Sequence, residues 1–251
     1  MHNRGIQLMI SAVAHRSGST LLQRLCNARK ENLIWGEHDG VLTDFIQISD
    51  KLKRITLAEV KERKRYFESD ENPNLWLAKM APEADYLESA LVSSVRAFFD
   101  GFYAQYAENH DIIGFKEVRY GERELQLIRQ CYPLAKILLL IRNPVDIWES
   151  LLEAWSRNYL ETLVQKWNTN TAFYLRFAAE DPSAFLVRYE DIVQRDEQTI
   201  DLICSVASIN RKQLEAVLAV KLNSTARRRE TWEADHIRQH CAALMHRLDY
   251  L

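Results

Sequence analysis

Residues 6–20 read IQLMISAVAHRSGST, and the two halves of this stretch obey different rules. Ile6 to Val13 is an apolar run of strand length, and Ser17, Gly18, Ser19 and Thr20 separate it from LLQRLCNA, which has helical character. The sequence therefore predicts a strand, a tight loop and a helix. At such a junction the unpaired N–H groups and the positive end of the helix converge on one point, a place suited to an anion. Gly18 lets a ligand approach the backbone, the hydroxyls of Ser17, Ser19 and Thr20 add donors, and Arg16 adds a permanent planar charge. The loop lacks the GxxxxGK[ST] pattern, so a Lys on terminal phosphates with a hydroxyl on magnesium is not expected. On its own, RSGST also suits a Ser- and Gly-rich helix cap with no ligand.

Three more apolar runs extend the pattern. Ile112 to Val118 follows the turn residues Asn109, His110 and Asp111; Lys136 to Ile141 (KILLLI) ends at Arg142, Asn143 and Pro144; Ala184 to Val187 runs into Arg188 and Tyr189. KILLLI is almost purely branched aliphatic, as in strands buried on both faces. Helices are expected between them. From Pro82, the residues Leu87, Leu91, Val95, Phe98, Phe102 and Tyr106 recur at helical steps, and 145–159, 160–179 and 197–205 also read as helical. The 57–68 segment, with Lys61, Arg63, Lys64 and Arg65 among acids, reads as a solvated helix face. Strands alternating with helices predict an α/β fold of three layers, a mostly parallel sheet flanked by helices, with ligands at the carboxyl ends of the strands. No linker or repeat divides residues 1–251, so one domain is expected, with a helical insertion at about 43–109 covering the site at the strand ends.

RSGST with Leu21 and Leu22, then KILLLIRNPVDIWES, then VRYEDIV, in that order, resembles the sulfotransferases that use 3′-phosphoadenosine 5′-phosphosulfate (PAPS), most nearly their tyrosylprotein and bacterial small-molecule branches. The resemblance spans Ile6 to about Val193 and implies a P-loop-like phosphate site. Arg16, Ser17, Gly18, Ser19, Thr20 and Leu21 would hold the 5′-phosphosulfate. Arg142 and Ser150, eight residues apart, would hold the 3′-phosphate. Tyr189 would line the nucleotide pocket, and Arg227, Arg228 and Arg229 fall where the family places late basic residues, although a solvated basic cluster reads the same way. Many cytosolic members carry Lys where this chain has Arg16.

Transfer to an acceptor requires a base for the acceptor's proton. Residues 33–41 (LIWGEHDGV) place Glu37 and His38 one helix beyond the phosphate loop. The tyrosylprotein branch has a Gly-Glu-Glu segment here whose first glutamate is the base, which points to Glu37. His38 competes, since a histidine titrates near neutrality without help. Lys116, at the end of the second long run, would touch the bridging oxygen or the sulfuryl group, unless it merely pairs with Glu117 or Glu122.

Of 251 residues, 47% are apolar and 27% charged, enough to bury a core. A net charge of −2 argues against a broad nucleic-acid surface, and no apolar run is long enough to span a membrane. Four cysteines without a CxxC pair suggest free thiols in a reducing cytoplasm, and no metal cluster is legible. The expected partner is a small-molecule or carrier-bound acceptor, with a homodimer possible. Two other classes share these features: a P-loop-like kinase, and an inactive nucleotide-binding interaction domain.

Overall fold

The computed structural model describes residues 5–151, 159–220 and 231–251. Five strands, β1 (Leu8–Ala12), β2 (Asn32–Trp35), β3 (Ile112–Glu117), β4 (Lys136–Ile141) and β5 (Ala184–Arg188), form one sheet in the order β2-β3-β1-β4-β5. All four strand pairings are parallel. The chain leaves central β1 through α1 (Ser19–Cys26) to reach the edge strand β2, then returns to place β3 on one side of β1 and β4 on the other. The loop after β1 therefore sits where the strand order reverses, the usual ligand crevice of an open α/β sheet.

Side-chain alternation along β1 builds the outer layers. Leu8, Ile10 and Ala12 pack with Leu22 and Leu25 of α1 and with Ile200 and Ile203 of α9 (Glu197–Ala207). Met9 and Val13 belong to the opposite core, with Phe99 of α4 (Leu87–Tyr103), Ile128 of α5 (Glu122–Cys131), Trp167 of α7 (Leu160–Glu180) and Ile237 of α11 (Trp232–Arg247). β4 divides the same way, with Leu138 and Leu140 on one face and Ile137, Leu139 and Ile141 on the other. Both faces of the sheet are covered, which explains the unbroken aliphatic run. The polar exception on β1, fully buried Ser11, shares a 2.8 Å hydrogen bond with the Tyr174 hydroxyl. β1 and β3 also approach closely at one point, where a Cβ on Gly114 would lie 1.6 Å from the Leu8 carbonyl oxygen.

The segment between β2 and β3 is helical, with α2 (Val41–Thr56), α3 (Val60–Glu68) and α4. Short helices α6 (Pro144–Glu149), α8 (Tyr189–Gln194) and α10 (Arg211–Leu218) complete the described set. The structure departs from the sequence reading in four places. β2, of four residues, is a fifth strand that the sequence shows only as a short apolar stretch. The helix expected from Pro82 begins at Leu87, after a 3-10 turn over Ala84–Tyr86. The helix expected over 145–159 is described as α6 alone, because 152–158 lie outside the described residues. Arg63 is not on a solvated face: it is buried, and its Nη1 donates to the carbonyls of Thr56 (3.0 Å) and Ala81 (2.8 Å). The buried guanidinium thus stitches the end of α2 to the chain that follows α3.

Candidate active site

The loop between β1 and α1 is shaped by two left-handed residues, Arg16 (φ 67°) and Gly18 (φ 89°). Such a conformation turns successive N–H groups toward one concave point, and the amides of residues 17–20 make no backbone hydrogen bond among the described residues. Ser17 is buried and its hydroxyl donates to the Ala14 carbonyl (2.7 Å), so this side chain shapes the turn. Ser19 is buried and receives the Lys116 ammonium at 3.5 Å, whereas Thr20 is exposed. Leu21 faces the core and its N–H donates to the Gly18 carbonyl (3.0 Å).

The end of β4 closes on this loop. Arg142 Nη1 donates to the Arg16 carbonyl (2.8 Å), and the guanidinium carbon stands 4.4 Å from the centre of the Tyr189 ring. Arg142 Nε is buried and has no hydrogen-bond partner among the described residues. Trp167 Nε1 holds the Arg142 carbonyl (2.9 Å), fixing where the arginine leaves the strand. Arg16 Nε in turn donates to the Ser150 carbonyl (3.1 Å). Ser150 is the residue that ends α6, and its hydroxyl donates to the Ile147 carbonyl (2.8 Å). Arg142 and Ser150 therefore gather around Arg16, a meeting that eight-residue spacing could only suggest. Tyr189 is the first residue of α8, with its ring packed against Gly18. Arg227, Arg228 and Arg229 lie outside the described residues.

The third contribution comes from the ends of β2 and β3. After Trp35 the chain turns through Asp39 (φ 54°) and Gly40 (φ 80°) into α2, and this turn carries Glu37 and His38. Glu37 forms ion pairs with Lys116 of β3 and, at 3.1 Å, with Arg119. Arg119 also reaches Glu117 (2.9 Å) and Asp39 (3.1 Å). Glu117 is fully buried and accepts the N–H groups of Gly40 (3.1 Å) and Val118 (2.9 Å). Lys116 is thus paired with Glu37 and not with Glu117 or Glu122. The sequence reading missed Arg119 and the anchoring role of Glu117. The signal was the run of alternating charges, Lys-Glu-Val-Arg, at the end of an otherwise apolar strand.

Burial pushes the Glu37 carboxyl up, but the hydrogen bond and charge of Lys116, with His15 and Arg119, outweigh it and hold it below the usual carboxylate value. Burial lowers His15, with Arg119 and Lys166 adding to the effect against Glu37 and Glu117. His38 has both ring nitrogens engaged: Nδ1 with the Gly36 carbonyl (2.9 Å) and Nε2 with the Tyr103 hydroxyl (2.6 Å). A carbonyl only accepts, so Nδ1 carries the proton and Nε2 accepts from Tyr103. Burial pushes the Tyr103 phenol up, which keeps it a donor. The imidazole also stacks on Phe115 at 4.7 Å.

Residues 13–213 match the model of the sulfotransferase family, a span that contains every residue just described. The chain belongs to this family. No curated protein matches the sulfotransferase sequence. Among solved structures it is similar to the sulfotransferase domain of an olefin synthase from Synechococcus, at 15% identity and TM-score 0.51, covering 96% of each chain. It is also similar to a Mycobacterium avium sulfotransferase, at 10% identity and TM-score 0.53, covering 96% of this chain and 76% of that one. A sulfotransferase from Alicyclobacillus acidocaldarius gives 14% identity and TM-score 0.50, covering 98% and 94%. At such identities these likenesses speak for the fold alone. Among the described residues of this sulfotransferase, no three His, Cys, Asp or Glu form a group that could hold a metal. No described helix is long and apolar enough to cross a membrane.

Proposed function

We propose that this sulfotransferase moves a sulfuryl group from PAPS to a hydroxyl or amine of a small-molecule or carrier-bound acceptor. The observation that carries this reading is the convergence of the loop amides, which make no backbone hydrogen bond among the described residues, with the Arg16 and Arg142 guanidinium groups. A donor with anions at both its 5′ and 3′ ends calls for two such cationic positions, and a guanidinium offers an anion a planar, charge-assisted pair of hydrogen bonds. Arg16 links the two positions through Ser150 and Arg142.

PAPS supplies the activated sulfuryl group and a bisphosphate leaving group. By analogy with phosphoryl transfer, catalysis then rests on positioning and on charge stabilisation. The loop amides and Arg16 are preorganised donors for charge that develops on the leaving phosphate, and Lys116 stands within reach of the same loop. Glu37 is the group we assign to the acceptor's proton, because it ends at the same point as Lys116 while both nitrogens of His38 are occupied. His38 then acts as a wedge that fixes the turn against Phe115 and Tyr103. The helical segment at about 43–109 covers the acceptor in this reading, and Lys116 lies between Glu37 and the phosphate loop.

Calorimetry with 3′-phosphoadenosine 5′-phosphate tests the proposal. The expected result is tight binding without magnesium, much weaker binding of adenosine nucleotides lacking the 3′-phosphate, and sulfate transfer in the presence of a chelator. Equal affinity for ATP, or turnover abolished by the chelator, would favour a kinase. Binding with no transfer across an acceptor screen would favour an inactive interaction domain.

A further inference from the structure

Lys116 stands between two anion positions. Its side chain is only 8% exposed, its ammonium is paired with Glu37, and it lies 3.5 Å from Ser19 Oγ in the phosphate loop. A buried ammonium must have a partner, so Lys116 can leave Glu37 only for another anion. Glu37 is not so dependent. Arg119 holds it at 3.1 Å, and Arg119 is braced by fully buried Glu117, which also grips the Gly40 amide at the far end of the turn.

Resting on the donor reading above, we propose that donor binding makes Lys116 exchange partners: its ammonium moves from Glu37 to the anion on the phosphate loop, while Arg119 and Glu117 keep Glu37 in place. The exchange adds positive charge where the leaving group develops negative charge. It also removes a cation that weakens Glu37 as a proton acceptor, so the carboxylate gains basicity when the donor is present. The other charged groups facing this position are His15 at the end of β1, Asp39 in the turn, and Lys166 of α7 beyond His15. Arg119 and Glu117 are positioning residues in this scheme, and Lys116 is the moving part.

The exchange has a signature independent of turnover, because a group whose proton affinity rises on binding takes up protons. Calorimetry of 3′-phosphoadenosine 5′-phosphate in buffers of different ionisation enthalpy, from about pH 4 to about pH 7, measures that uptake. Wild type is expected to take up a fraction of a proton more than Glu37→Gln, with titration of the nucleotide's own phosphates cancelling between them. Lys116→Met should lose most of this excess, since no ammonium is left to move. If Lys116→Met does not fold, Lys116→Gln serves the same purpose. Equal uptake by wild type and Glu37→Gln overturns the exchange. Undiminished excess in the Lys116 variant overturns it too, because nucleotide charge alone would then be acting on Glu37. Failure of folded wild type to bind the bisphosphate at all overturns the donor reading, and the exchange with it.

Discussion

The Tyr189 ring occupies the space that a side chain on Gly18 would need: a Cβ built there would lie 2.2 Å from Tyr189 Cδ2. Gly18 is also left-handed, so two separate constraints meet at one residue. Gly18→Ala should lower the melting temperature and weaken nucleotide binding. In a Tyr189→Ala background the clash disappears and only the conformational cost of about 1–2 kcal/mol remains. Thermal denaturation of the four proteins in this cycle separates the contributions; equal tolerance of Gly18→Ala in both backgrounds would refute the steric account.

Arg142→Ala removes a charged donor and should weaken 3′-phosphoadenosine 5′-phosphate by roughly 1.5–3 kcal/mol, about ten- to a hundredfold. Arg142 also holds the Arg16 carbonyl, so some loss could come through the loop. Adenosine nucleotide without the 3′-phosphate isolates that part. Its affinity should change little, and an equal loss for both ligands would make Arg142 a loop brace only.

Glu37→Gln keeps the shape of the side chain and removes proton acceptance, so kcat should fall by about 10² to 10⁴ without weaker bisphosphate binding. His38→Ala strips the Tyr103 bond and the stack on Phe115, and should cost thermal stability more than kcat. Steady-state kinetics beside melting curves distinguish these patterns. A folded, inactive His38→Ala beside a near-normal Glu37→Gln would exchange the two roles.

The depressed Glu37 value also fixes how stability responds to acid. A carboxylate whose proton affinity is lower in the folded state adds stability above its unfolded value, and this contribution disappears as pH falls through the folded value. Wild type should therefore melt higher than Glu37→Gln at neutral pH. The gap should narrow as the pH is taken below the ordinary value of 4.5, because protonated Glu37 leaves Lys116 as poorly paired as glutamine does. A gap that widens in acid would contradict the ion pair.

The strands buried on both faces were legible because their environment is uniform: KILLLI admits few other readings. β2 was less so, since its burial alternates and its four residues NLIW are too short for a periodic signal. Around the phosphate loop, Arg16, Gly18 and Arg142 stood out in the sequence because each follows shortly after an apolar run. What the sequence could not convey was pairing. Lys116 has two acidic candidates nearby in the chain, yet its partner is Glu37, brought alongside by the parallel pairing of β2 with β3. Likewise, the burial of Arg63 depends on the Thr56 and Ala81 carbonyls, which local composition does not reveal.

The central place of β1 also orders events in time. Its Leu8 pairs with Gly114 on one side and Lys136 on the other, so β1 waits for more than a hundred later residues before it has strand neighbours. While the ribosome is still short of β3, the phosphate loop has neither Lys116 in register nor Arg142 on its carbonyl. A nascent chain truncated before about residue 110 would carry RSGST intact but lack both cations, Lys116 and Arg142, that the folded chain sets beside it. The loop and its two cations come together only when β3 and β4 close on either side of β1.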